Sequence, residues 1–371
     1  MAGLPLAVKD NIDTAGIPTA YGSPIYAGHV PAADAACVAL ARAAGAWVLG
    51  KTACTEFANM TPCATRNPWN PAHTPGGSSS GSAAAVAAGL APLALGTQTA
   101  GSVIRPAAFC GIVGYKPSRG RIPRAGVKPN SDTLDEVGVM ARSVADTAWL
   151  AAVLAGQAQP LAPEPRTPRL VLSLTPRADA LCPAMAGAVE AAATHLAAAG
   201  APVAPAGSTP AFDALFDSLF DAQRTVQLFE TARALAPEWS YRRRQLSPGL
   251  RTLLAGALAV RPDAYAAALR AAATAGAALD TLFGPADVLL TAAAPGAAPA
   301  SRRTTGDPLF NRPWQLLGCP CLTLPCGLDA DGLPLGLQLV ARPGDDHRLF
   351  AAAAWVERVL QSPDISRARC G

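Results

Sequence analysis

The chain has 371 residues, half of them apolar, which is enough for one large α/β domain or two ordinary ones with a sizeable core. Its formal charge of +4 is small for that length and its four lysines all precede residue 130, so no polybasic patch speaks for nucleic acid or a membrane surface. Residues 83–95, the best apolar run, are broken by Gly89 and Pro92 and fall short of the roughly 18 residues of a membrane span, while nine scattered cysteines, an odd number with no cleavable leader, read as reduced thiols of a cytoplasmic protein.

In chain order, residues 4–8 predict a strand that delivers Lys9 to its carboxyl end, where active-site groups of α/β sheets often sit. Residues 34–46 predict a helix and 47–49 the strand it feeds, with Gly50, Lys51 and Thr52 breaking the pattern. The prolines and asparagines of residues 61–75 predict an irregular loop. It leads into residues 76–111, GGSSSGSAAAVAAGLAPLALGTQTAGSVIRPAAFCG, where two serine-bearing glycine-rich turns flank a helix and a short strand. A strand is expected at residues 112–117, and Ser143 caps a helix that ends with Gly156 at the C′ position. The proline-rich residues 160–168 are the best candidate for an internal boundary, before a strand at 170–174.

Residues 182–199 and 212–282 read as mainly helical, with breaks near Pro237, Pro248 and Pro262. Strands return at 288–291, 321–324 and 337–340, with a short helix at 307–317 and a last one at 347–360. Because strands recur after the helical middle, that middle is expected to be an insertion on one sheet. The organisation expected is one domain, with the motifs in residues 1–160, a variable helical region in 161–285 and a return to the sheet in 286–371.

Three readings compete for the turn at residues 77–81. It satisfies the G-x-S-x-G pattern of a nucleophile elbow, but that elbow must follow a buried strand, and the preceding Asn-Pro-Ala-His-Thr-Pro-Gly cannot be one. A phosphate loop would need Lys-Ser or Lys-Thr after the glycines, which is missing. The third reading is a plain helix N-cap. The second turn, residues 96–102, follows an apolar strand and presents successive N–H groups of small residues just before Ser102, as an acyl-transfer nucleophile requires. A serine hydroxyl needs a base, and none of His29, His73, His195 or His347 sits in a triad-like motif, which leaves Lys9 as the alternative if its pKa is lowered. Cys319, Cys321 and Cys326 come closest to a metal pattern but lack ligand spacing and a partner cluster, so no metal is expected.

At this point the sequence resembles the amidase signature family of serine amidohydrolases. The likeness rests on LPLAVKDNID, GKTACTEFA, NPWNPAHTPGGSSSGSAAAVAAG, GTQTAGSVIRPAAFCGIVGYKPSRGRI, LDEVGVMARSVAD and GDPLFNRPWQLLGCPCLTLPCGL, ordered motifs that span most of the chain and thin out between residues 160 and 285. The resemblance implies an α/β fold, a single mixed, twisted sheet covered by helices on both faces. It also implies a Ser-cisSer-Lys triad in which Ser102 is the nucleophile, Ser78 the bridging serine after a cis peptide, and Lys9 the base. Thr99, Ala100, Gly101 and Ser102 would form the oxyanion hole. Gln98 stands where the family often has an acid, Ser80 and Ala100 replace usual glycines, and Arg105 lies one position later than the family's arginine. Members usually carry several dozen residues, largely helical, before the lysine, whereas here eight precede it.

The activity implied first is a free-standing amidase that cleaves a small or medium carboxamide through an acyl-enzyme, with no cofactor and with a homodimer as the possible assembly. The second is the glutaminase component of a tRNA-dependent amidotransferase, and the third a truncated, non-catalytic paralogue.

Overall fold

The computed structural model describes residues 3–157, 163–206 and 210–361. Among the described residues ten strands form one sheet: β1 (Pro5–Lys9), β2 (Trp47–Thr52), β3 (Leu93–Gln98), β4 (Val113–Lys116), β5 (Glu136–Ala141), β6 (Leu170–Leu172), β7 (Val203–Pro205), β8 (Val288–Ala292), β9 (Cys321–Leu328) and β10 (Pro334–Val340). Their order is β2-β1-β3-β5-β4-β9-β10-β8-β6-β7, parallel at each end and antiparallel from β3 through β8 in the middle. This is the mixed sheet expected from the sequence, and the helical middle returns its strands β6 and β7 to that same sheet.

The period of two along the strands sorts the core onto two faces. Leu6 and Val8, Leu93 and Leu95, Val137 and Val139, and Leu337 and Leu339 face one layer. Of the helices, α1 (Ala36–Ala43) lies in that layer, α2 (Ser80–Ala87) and α3 (Ile104–Phe109) lie on the opposite face, and α4 (Val144–Leu154), α5 (Pro183–Ala198) and the carboxyl-terminal helix Asp346–Leu360 return to the first. The alternate residues on the second face are small, Ala7 and Ala94 among them, and Gly114 and Gly336 carry no side chain at all. A Cβ on Gly114 would stand 2.5 Å from the Ala107 methyl, and one on Gly336 would collide with that of Ala108. These glycines let α3 lie directly on the sheet, which fixes the height of Ser102 just before it.

The rest of the second face is covered by α6 (Pro210–Ala234), α9 (Pro262–Ala277), α10 (Leu279–Phe283) and α11 (Arg312–Leu316), while α7 (Ala236–Arg242) and α8 (Pro248–Ala257), between α6 and α9 in the chain, pack with Tyr21 and Phe57 in a separate cluster. Pro237, Pro248 and Pro262 start new helices rather than merely ending old ones: each sits in a first turn, where a missing N–H costs nothing. Phe216 and Phe220 are core, with Phe216 packed on Trp314 at 5.0 Å, and Arg242, Arg243 and Arg244 are exposed.

Three departures from the sequence reading have physical reasons. β5 went unpredicted because it is central and buried on both faces, so its run EVGVMA shows no alternation. β2 continues through Gly50, Lys51 and Thr52, which pair in parallel with Ala7, Val8 and Lys9; pairing across a register irregularity overrides the local break. β7 is a three-residue edge strand, too short to carry a pattern. The boundary candidate at residues 160–168 lies partly outside the described residues, as does Cys370.

Candidate active site

Lys9 ends β1 and is fully buried, with Ser78 2% and Ser102 9% exposed. Its Nζ donates to Ser78 Oγ at 2.7 Å, to Thr97 Oγ1 at 2.6 Å and to the Thr97 carbonyl at 3.2 Å. No carboxylate lies within ion-pair distance of it among the described residues, and burial lowers its pKa from the usual 10.5 to about 8, with Asp135 among the weaker opposing influences. Lys9 is therefore not an ordinary ion-paired residue at a strand end.

The peptide joining Gly77 to Ser78 is cis. Neighbouring serines do not cap α2 in the ordinary way. Ser79, at the N-cap position, instead donates to the Thr97 carbonyl and accepts from the Thr97 N–H, each at 3.2 Å. Ser80 Oγ donates to the Gly76 carbonyl at 2.7 Å, and Ser82 Oγ to the Leu95 carbonyl at 2.8 Å. The serine cluster thus stitches the first turn to β3 and to its own loop, and places Ser78 over Lys9.

Ser102 closes the turn of residues 99–102 that follows β3, and it precedes α3. The Ser79 N–H donates to the Ser102 carbonyl at 3.3 Å, which joins the two turns. The Ser102 hydroxyl itself makes no hydrogen bond among the described residues, so the structure joins Lys9 to Ser78 and leaves the Ser102 hydroxyl unengaged. The backbone N–H groups of Thr99, Ala100, Gly101 and Ser102 likewise donate to no protein acceptor among the described residues. Four successive unpaired donors on a buried turn have the chemistry to receive an anion.

The support of that turn explains two departures from the family pattern. Gln98 Oε1 accepts from the Val103 and Ile104 N–H groups at 2.9 and 3.0 Å, taking the place of an acid at the start of α3, while its Nε2 donates to Gln315. Arg105, one position late, reaches across to the other turn: Nη2 donates to the Gly77 carbonyl at 2.7 Å and Nε to the Thr305 carbonyl at 2.6 Å. Thr99 is fixed by donating its hydroxyl to Asp135 Oδ1 at 2.6 Å and by accepting from Gln223 Nε2 at its carbonyl, at 3.0 Å. Asp135 in turn accepts from the Asn130 and Ser131 N–H groups, and burial raises its pKa.

Sequence reasoning missed Thr97 and Asn11, whose Nδ2 donates to Thr97 Oγ1 at 3.0 Å. Both lay within quoted motifs, but only the packing of β1 against β3 shows that they hold Lys9. The histidines lie elsewhere: His29 contacts Tyr21 and His73 the Ala298 carbonyl. Cys319 and Cys321 pack into one apolar cluster and Cys326 into the one across the sheet. A cavity of about 180 Å³, lined by Cys63, Gly76, Ser80 and Arg302 among others, adjoins the Ser78 turn.

A family model described as Amidase matches residues 1–350. Among curated relatives, the A-type component of the glutamyl-tRNA(Gln) amidotransferase of Synechococcus sp. (strain CC9605) is 34% identical over 420 residues, covering 97% of this chain and 83% of that protein. A crystallised amidase superposes with a TM-score of 0.85 at 30% identity, over 96% of this chain and 84% of that one. The native peptide amidase of Stenotrophomonas maltophilia does so with a TM-score of 0.82 at 32% identity, over 97% and 83%. Matched along nearly its whole length in sequence and in fold, the chain belongs to the amidase signature family and is an amidase-type enzyme.

Proposed function

We propose that the chain cleaves a carboxamide C–N bond by acyl transfer through Lys9, Ser78 and Ser102. The observation that carries this is the conjunction of a buried lysine without a carboxylate partner, hydrogen-bonded to Ser78, and four free N–H groups around Ser102. Neutral Lys9 takes the Ser78 hydroxyl proton as Ser78 takes that of Ser102, and Ser102 Oγ attacks the carbonyl carbon. The Ser78–Ser102 contact forms as substrate binds, since catalytic hydrogen bonds commonly tighten only then. Charge on the carbonyl oxygen is received by the N–H groups of residues 99–102, each worth about 3 kcal/mol in such sites. Lys9 returns its proton through Ser78 to the leaving nitrogen, the C–N bond breaks, and water then attacks the ester at Ser102 by the same relay to release a carboxylate.

The setting is better supported for the second sequence reading than for the first. Curated relatives at 34–36% identity carry the name of the A-type amidotransferase component, which favours a glutaminase working with partner subunits and reverses the order in which the two activities stood on the sequence alone. The free-standing amidase is supported by the fold likeness to the peptide amidase. In either setting the reading carries a cytoplasmic location; among the described residues no helix is long and apolar enough to cross a membrane.

Labelling with a fluorophosphonate tests the nucleophile. Wild type is expected to label once and Ser102→Ala not at all; full labelling of Ser102→Ala removes Ser102 from the role. Ammonia release from glutamine that appears only with partner subunits selects the glutaminase setting, and equal release by the chain alone selects the amidase.

A further inference from the structure

A second cationic group stands beside the nucleophile turn and takes no part in the relay. Arg312 opens α11, and its Nη1 donates to Gln223 Oε1 at 2.8 Å. Gln223 spans α6 to the turn through its bond to the Thr99 carbonyl, so two hydrogen bonds separate the guanidinium from the backbone that carries the oxyanion donors. The segment leading to Arg312 rests on the same turn, with Pro308 Cβ 2.9 Å from where a Cβ on Gly101 would stand.

Among the described residues the other N–H groups of the Arg312 guanidinium make no hydrogen bond, and no carboxylate lies within ion-pair distance of it. Asp307 and Asp221 are near enough to favour its charge and Arg224 to oppose it, but both acids are exposed and screened by solvent. Burial outweighs them and lowers the Arg312 pKa. A half-buried guanidinium with an open fork and no protein anion matches a carboxylate in shape and in charge.

We propose that Arg312 is a specificity-determining residue that receives a carboxylate on the acyl portion of the substrate, so that this site takes small carboxamides bearing a free carboxylate. The inference rests on the acyl-transfer reading for where the amide lies, and it covers both settings of that reading. Gln223 ties recognition to reaction, because the group that orients Arg312 also holds Thr99 in the oxyanion turn.

The test compares succinamate with butyramide, which puts a methyl where succinamate has its carboxylate. Wild type is expected to show a higher kcat/KM for succinamate, and Arg312→Met to lower that value at least tenfold more than the value for butyramide, mainly through KM. Arg312→Lys should recover part of the difference, since it keeps the charge and loses the fork. Equal losses for the two amides would reduce Arg312 to a prop for Gln223 and overturn the proposal, as would a wild type indifferent to the carboxylate. Equilibrium binding of succinamate to Ser102→Ala reads the same contact without turnover. Binding there that is lost in Ser102→Ala/Arg312→Met, with both proteins folded by thermal melting, supports the inference, and unchanged or absent binding in Ser102→Ala overturns it. Failure of fluorophosphonate labelling would instead count against the acyl-transfer reading and leave the binding result standing.

Discussion

The sharpest consequence of the site is the pH dependence set by Lys9. Burial lowers its pKa from 10.5 to about 8, which corresponds to about 3 kcal/mol against the charged form. If Lys9 acts as the base in its neutral form, about one molecule in ten is competent at pH 7 and about nine in ten at pH 9. The rate kcat/KM should therefore climb nearly tenfold across that interval. Stability must move with it. Below pH 8 Lys9 is protonated in both folded and unfolded chains, and the cost of burying the cation is present in full. Between 8 and 10.5 the unfolded chain holds a proton that the folded one has shed, so stability rises with pH. Lys9→Met lacks this dependence, whereas Lys51, also lowered to about 8, is common to both proteins and cancels in the comparison. Urea unfolding of the two should show wild type gaining on Lys9→Met by up to about 3 kcal/mol between pH 8 and 10.5. Parallel stability curves, together with a kcat/KM that is flat from pH 6 to 9, would refute the neutral-lysine argument.

Other expectations follow from the turn that carries Ser102. A methyl at Gly101 would collide with Asn311 Oδ1 and stand 2.9 Å from Pro308 Cβ and 3.0 Å from Arg105 Nη1, so Gly101→Ala should cost about 1–3 kcal/mol of stability by overpacking and a larger fraction of kcat. Thermal melting and steady-state kinetics check both, and wild-type turnover in Gly101→Ala would show that the turn is not held where the structure has it. Gln98→Ala strips the acceptor from the Val103 and Ile104 N–H groups; it should destabilise by about 1–2 kcal/mol and slow Ser102 labelling, and an unchanged labelling rate would mean that this cap does not position the nucleophile.

Much of the site was legible in the sequence because its chemistry needs particular atoms at fixed places along the chain. Two serine turns bracketing a helix and a strand, with no serviceable histidine, already pointed to Lys9, and the motif resemblance supplied the roles of Ser78, Ser102 and the N–H groups from Thr99 to Ser102. Short apolar runs marked most of the strands, central and outer, and helical spacing marked the long helices, since local pattern reflects which residues face a core. The sequence could not show β5, whose burial on both faces erases the alternation, nor the continuation of β2, which exists because β1 lies beside it.

The same limit separates residues from roles. Gln98 and Arg105 read as departures from a family pattern, and only the approach of distant segments shows what they do. Gln98 caps α3 as an acid would, and Arg105 spans 28 positions to hold the carbonyl before Ser78. Thr97 and Asn11 became holders of Lys9 when β3 was laid against β1, and Gln223 and Arg312 came to the Ser102 turn when α6 and α11 closed over it. The sequence by itself pointed to Lys9, Ser78 and Ser102 as the reacting groups of the proposed reaction, because bond-making chemistry depends on residue type and local turn geometry. The surroundings that set the Lys9 pKa and the reach of Arg312 were decided by tertiary structure alone, because desolvation and hydrogen bonding depend on which distant segments meet.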